Sequence, residues 1–377
     1  MRERTGRKGR GWSLATILAV VAVVGAACSG STATTAPTTA PATAPTTGPA
    51  TAVTAAPSAA PKQYVIGISN NVVGNGWRDE MNCSIKVQAR VSGMVSKVVD
   101  ASRNGSASDQ VQDIRSLISA GVNAIIVDPA DSQALNSVIA EASAKGIIVV
   151  AVDSTVTAPE AYLMTNDQTA YGQLSGEWLF KQLNGKGTVL ELRGASGSSA
   201  DTDRHAGFEA ARAKYPDIKV ISQFTDWSIA KASQIVTQLL ASGTQVDGIF
   251  TPGTGQVVWD AYTAAKKPFV PTGVSDNNGD VAGPVSTKGV IALAVSNPAV
   301  VGGAGVTVAL NVLQGKSQGK LTKLTPVAWD STTADGLAAM TAAYDSRMGP
   351  FYSTTVSIKD YTTFTKADLL GCQGPQG

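Results

Sequence analysis

From residue 64 onward, short β-branched apolar runs alternate with longer segments of helical period, and this restricts the chain to a parallel sheet covered by helices. A strand that leaves a parallel sheet returns only through a crossover of a dozen or more residues, so helices rather than hairpin turns separate the strands. Nine runs read as strands. A first series comprises 64–69, 95–101, 124–128 and 147–153; a second comprises 188–194, 218–224, 248–251, 269–274 and 290–296. Helical period lies between them, as over 132–144, where Leu135, Val138, Ile139 and Ala142 fall at i, i+3, i+4 and i+7. A break at 162–167 separates the two series, and helical stretches are expected at 298–313 and 333–344. Roughly 315 residues are left to fold, which favours two units over one. The expected class is α/β, with two doubly wound parallel-sheet lobes joined by a hinge.

In open parallel sheets a ligand crevice lies beyond the carboxyl ends of the strands. Those places are polar throughout: Asn70 and Asn71, Asp128, Asp153 and Ser154, then 194–199, Asp226 and Trp227, 276–278, Ser296 and Asn297. Singly, such residues are ordinary turn and N-cap residues. As a set they suit a polyol, because carboxylates and amides pair with vicinal hydroxyls while an indole face covers the C–H side of a sugar ring.

The first 61 residues read differently. Arg2, Arg4, Arg7, Lys8 and Arg10 precede an uncharged, largely apolar run over 12–27 that ends in small residues before Cys28, which is the pattern of a signal peptide. The run has 16 residues, fewer than the ~20 of a membrane-spanning helix. Residues 29–61 are Ala, Thr, Pro, Ser and Gly apart from Val53, with six prolines and no charge, a composition that forms a spacer and not a core.

Residues 1–27 hold five basic residues and Glu3; without them 25 Lys plus Arg face 27 Asp plus Glu. No basic patch remains, so nucleic acid is not an expected partner. One histidine, His205, and no close cysteine pair argue against a metal site. The G-x-S-x-G, H-E-x-x-H and P-loop motifs are missing, so no catalytic residue and no cofactor are expected. The turn at 194–199 reads as a plain strand-to-helix connection, and His205 as a surface or capping residue. Three cysteines leave one unpaired in an exported protein. If Cys28 is lipidated, Cys83 and Cys372 are expected to form a disulfide that pins the chain end across the first helix.

VGAAC at 24–28 resembles the lipobox of bacterial lipoproteins, with Gly25 where Leu is usual, and implies acylation of Cys28. Residues 65–315 resemble the type I periplasmic sugar-binding proteins, the family of the ribose-binding protein that feeds ABC importers. The similarity rests on YVIGISNNVVGNGWRDEM at 64–81, AGVNAIIVDPADSQAL at 120–135, KGIIVVAVDST at 145–155 and ELRGASGSSADTDRHAGF at 191–208. DWSIAKASQIVTQLLAS at 226–242, GVSDNNG at 273–279 and AVSNPAVVGGAG at 294–305 complete it. The resemblance implies that Asn75 and Trp77 stack on and hydrogen-bond a sugar, and that Asp153 binds its hydroxyls. It implies that Trp227 and Asp276 act from the second lobe and Ser296 near the last crossover. Arg78 stands where ribose binders have a second aromatic. Thr202 stands where they have an arginine, with Arg204 two places on, and Gly253 near a usual Asn. Ribose itself is therefore not implied.

The implied lobes are 63–165 with about 297–325, and 166–296, followed by an extension at 326–377 with a β-prone stretch at 352–364. The implied role is a non-enzymatic, exported substrate-binding protein, monomeric and lipid-anchored at the cell surface or in the periplasm, that hands a neutral monosaccharide or polyol to an ABC permease. A receptor module for a sensor kinase is the alternative, and an enzyme of unidentified class a second. A repressor of the same fold needs a DNA-binding unit before residue 64, where the spacer stands.

Overall fold

Strands buried on both faces need apolar residues at consecutive positions, and AIIVD at Ala124–Asp128 is buried at all five. Such runs build the two sheets of the computed structural model, which describes residues 62–372 and 374. The first lobe runs β1 (Tyr64–Asn70), α1 (Gly76–Val91), β2 (Val95–Asp100), α2 (Ala107–Ser119), β3 (Ala124–Asp128), α3 (Asn136–Ala144), β4 (Ile148–Val152) and β5 (Tyr162–Asn166). The second runs α4 (Gln168–Gln182), β6 (Lys186–Arg193), α5 (Ser199–Arg212), β7 (Asp217–Phe224), α6 (Ile229–Ser242), β8 (Gly248–Thr251), α7 (Gly255–Ala264), β9 (Thr272–Ser275), α8 (Asn278–Ser286) and β10 (Ala292–Val295). The chain then returns to the first lobe with α9 (Val301–Leu313) and β11 (Leu321–Leu324), and crosses again to β12 (Ala328–Asp330) and α10 (Ala334–Ala343). It finishes in α11 (Lys366–Gly371).

The sheet orders are β11-β5-β4-β3-β1-β2 and β12-β10-β9-β8-β6-β7. Every pairing is parallel except β10 with β12. Each of the nine expected runs overlaps a strand, the ends differing by up to three residues. The expected break at 162–167 is instead β5, which pairs with β4 and β11; its sequence YLMTN ends in the buried polar residues Thr165 and Asn166, which interrupt an apolar run and hide it. Residues 352–364 form no strand, only a single bridge between Ser353 and Asn277, because their backbone groups bond to loops and side chains. The helix expected at 132–144 starts at Asn136, after a run of turns.

Helices α4 and α5 approach until backbones touch. A Cβ at Gly172 would lie 1.9 Å from the Arg204 carbonyl oxygen, and one at Gly207 would lie 1.9 Å from that of Thr169. After α10 the chain doubles back: Ile358, Phe364 and Leu369 are buried in the first lobe's core beside Met81, Ile85 and Val301. Cys372 is bonded to Cys83 of α1, with Cα atoms 4.9 Å apart. The segments read as a signal peptide and a spacer, and Cys28 between them, lie outside the described residues.

Candidate functional site

The site begins with the cap of α1. The Oδ1 of Asn75 accepts from the backbone N–H of Trp77 (3.0 Å) and of Arg78 (3.4 Å), satisfying two donors that the helix start leaves free. This fixes three polar or aromatic side chains, those of Asn75, Trp77 and Arg78, at the cleft edge. The Asn75 Nδ2 donates across the cleft to the Trp227 carbonyl (2.9 Å), and the Trp77 indole N–H donates to the Asn297 carbonyl (2.8 Å).

Arg78 turns inward and is 5% exposed; it pairs with Asp128, 1% exposed, at the end of β3, and its Nη1 donates to Asn70 (3.3 Å). Its guanidinium lies 5.5 Å from the Trp77 ring and 5.7 Å from the Trp227 ring. Burial pulls its pKa down to about 10, a shift that Asp153 opposes and Arg204 reinforces. It stays charged at neutral pH.

Asp153 follows β4 with a left-handed backbone, φ 57°, a conformation Asp tolerates better than most residues. Its Oδ1 accepts from Gln168 Nε2 (2.9 Å). The other end of that amide, Gln168 Oε1, accepts from Arg204 Nε (2.8 Å), so one buried glutamine joins the carboxylate of one lobe to the guanidinium of the other. Arg204 lies 4.7 Å from the Tyr171 ring and 6.0 Å from that of Trp227. Its Nη2, although buried, has no partner among the described residues; neither has the Asn277 Oδ1. Trp227 and the preceding Asp226 both have positive φ, 53° and 54°, a strained pair that swings the indole against Gly194, where a Cβ would sit 2.1 Å from it.

These groups surround a cleft of about 420 Å³ of empty space, a figure that includes open solvent. Asn75, Trp77, Arg78, Asp153, Arg204 and Trp227 line it, together with Pro252, Gly253, Ser275, Asn277 and Asn297. Asp276 and Ser296 do not. The backbone of Asp276 continues the strand pattern by bonding to Val295 O (3.1 Å), so its side chain takes the face opposite to its neighbours Ser275 and Asn277. There it accepts from Asn297 N (2.9 Å), Ser353 Oγ (2.9 Å) and Thr355 Oγ1 (2.6 Å), and burial raises its pKa. Ser296 is held by Val327, exchanging backbone and hydroxyl bonds of 2.8 Å. Gln168 and Ser275 were missed, and Asn277 and Asn297 were read only as polar strand-end residues with no role assigned. Only the adjacency of the last three to recognised strand ends pointed to them.

His205 stands apart from the cavity; its Nδ1 contacts Glu191 Oε1 at 2.8 Å, and the same carboxylate accepts from Ser222 (2.5 Å). Among the described residues, no three His, Cys, Asp or Glu side chains are grouped to hold a metal ion, and no helix is long and apolar enough to cross a membrane.

Two α/β lobes closing on a polar, indole-walled cavity accord with a sequence profile of the periplasmic binding protein domain, which matches residues 66–317. The chain belongs to that family. Among its relatives, the ribose import binding protein of Bacillus subtilis is 25% identical over 258 residues, which are 68% of this chain and 83% of that protein. The xylitol-binding protein of Mycolicibacterium smegmatis is 31% identical over 220 residues, 57% of this chain and 63% of the relative. The crystal structure of an ABC transporter solute binding protein from Thermobispora bispora superposes on this binding protein with a TM-score of 0.69 at 24% identity, covering 81% of this chain and 94% of that one, a likeness of fold.

Proposed function

We propose that this protein is the substrate-binding component of an ABC importer and that its cleft takes a neutral monosaccharide or a related polyol. One observation carries the reading. The charges on the cavity wall are matched within the protein, Arg78 by Asp128 and Arg204 by Asp153 through Gln168, while among the described residues a donor at Arg204 Nη2 and an acceptor at Asn277 Oδ1 stand unused on a wall that also carries two indoles. A hydroxyl both accepts and donates, so a neutral polyol satisfies both atoms without adding charge. The names of the relatives, for ribose and xylitol, support the same class.

On this reading Asn75, Trp77, Arg78, Asp153, Arg204 and Trp227 contact the ligand. Lobe closure reports occupancy, since contacts to both lobes favour the closed state. Export through the 1–27 signal, a lipid on Cys28, the spacer to residue 61, delivery to a permease and a monomeric state complete the proposal. A thermal-shift screen against monosaccharides, polyols, amino sugars and sugar acids tests it, because a ligand at 100 times its dissociation constant adds about 2.7 kcal/mol. Stabilisation by a neutral sugar or polyol is expected; a response only to charged compounds, or to none, overturns it.

A further inference from the structure

The lobes are joined by crossovers at 166–168, 296–297 and 325–327, and the chain end adds a fourth of a different kind. After α10 packs in the second lobe, residues 345–355 run along that lobe. Asn278 holds the Asp345 and Met348 carbonyls through its Nδ2 (2.9 and 3.0 Å), and Gly279 N–H donates to Pro350 O (2.7 Å). Ser353 is then gripped from both sides. Its N–H donates to Glu80 Oε2 of α1 in the first lobe (2.6 Å), and its hydroxyl donates to Asp276 Oδ2 of the second lobe (2.9 Å). The serine is fully buried, and the same Asp276 carboxylate receives the N–H of Asn297 at a crossover. Beyond it the segment enters the first lobe's core and ends in the disulfide to α1, one turn from Glu80.

We infer that residues 345–372 form a clamp that limits how far the lobes open, with Ser353 as the point where both lobes are held and the Cys83–Cys372 bond as the anchor. Rotation at the crossovers separates Glu80 from Asp276, and only one of them can keep Ser353. The anchor prevents the segment from yielding by unravelling from its end. The clamp contributes no side chain to the cavity wall, although Ser353 bridges to the backbone of the lining residue Asn277, and it acts on the balance between open and closed states.

The inference rests on the reading that the lobes open and close around a ligand, so its test is made without one. The backbone N–H of Thr155 donates across the cleft to Ser199 Oγ (2.6 Å), far from the clamp in sequence, and its hydrogen exchange reports opening. Two variants of the full protein are compared with the parent: Cys83→Ser with Cys372→Ser, and Ser353→Ala with Thr355→Val, which leaves the disulfide in place should loss of the bond impair folding. Exchange at Thr155 is expected to quicken by about tenfold, equivalent to about 1.4 kcal/mol, with a larger radius of gyration in solution scattering. Faster exchange confined to 345–372, or no change, overturns the clamp. A protein that fails the sugar screen but shows faster Thr155 exchange in the variants loses the ligand proposal and keeps the clamp.

Discussion

Neutralising Asp128 should be among the costliest single changes near the cleft. Asp128→Asn keeps the size of the side chain and leaves the Arg78 guanidinium buried at 5% exposure with only the neutral Asn70 Oδ1, 3.3 Å away, and the more distant Asp153 to offset it. Removing one member of a buried ion pair costs about 3–5 kcal/mol, because the surviving charge remains desolvated. At ~2.1 cal/mol/K per residue, the 62–372 span unfolds with an entropy of about 0.65 kcal/mol/K, so the midpoint should fall by about 5–8 °C. Scanning calorimetry reads this directly. Arg78→Met combined with Asp128→Leu replaces the pair by apolar groups and should recover most of the loss, to within about 1 kcal/mol of the parent, even though a cavity-lining residue is gone. A shift below about 1 kcal/mol in Asp128→Asn, or a double variant as unstable as the single one, would refute the claim that this pair is held in a dry environment.

Three further outcomes are expected. Trp77→Ala and Trp227→Ala should each weaken binding of the sugar found in the screen by about 1–3 kcal/mol in titration calorimetry, with unchanged affinity in both relocating the site. Gly194→Ala forces the Trp227 ring from its place and should lower affinity while leaving the melting temperature close to that of the parent; equal affinity would show that the ring has room to shift. Burial holds the Asp280 carboxyl up to about 8, so the folded state binds this proton more tightly than the unfolded one. Its contribution is complete below about pH 4 and declines as pH rises toward 8, by at most about 1.4 kcal/mol per unit, and denaturant titrations of Asp280→Asn should show a flatter profile across that window.

Sequence legibility followed burial. Strands such as β3 and β4, covered on both faces, carry unbroken apolar runs that no other element explains. By contrast β11 and β12 are short and only partly buried, and β5 ends in the polar Thr165 and Asn166, so their sequences carry no clear strand run. Among the cavity-lining residues, Asn75, Trp77 and Arg78 were legible because a helix cap sets neighbours within one turn at one edge. Asp276 was misplaced because a strand-like continuation assigns neighbours to opposite faces, and a carboxylate was preferred to the serine before it and the asparagine after it. Gln168 left no signal, since its role comes from meeting Asp153 and Arg204, distant in sequence and brought together only by the fold.

The close approach of Gly172 to the Arg204 carbonyl and of Gly207 to the Thr169 carbonyl makes the start of α4 and the middle of α5 move as one body. Gln168 opens α4 directly after the first crossover, and Arg204 projects from α5 three residues before Gly207. At these two glycines carbonyl oxygens are pressed where side chains would stand, so this end of the helix pair has little room to slide, whereas further along Phe180 packs on Phe208. Enlarging either glycine would insert slack or wedge the pair apart, and the protein would then sense hinge angle and ligand position as two separate quantities.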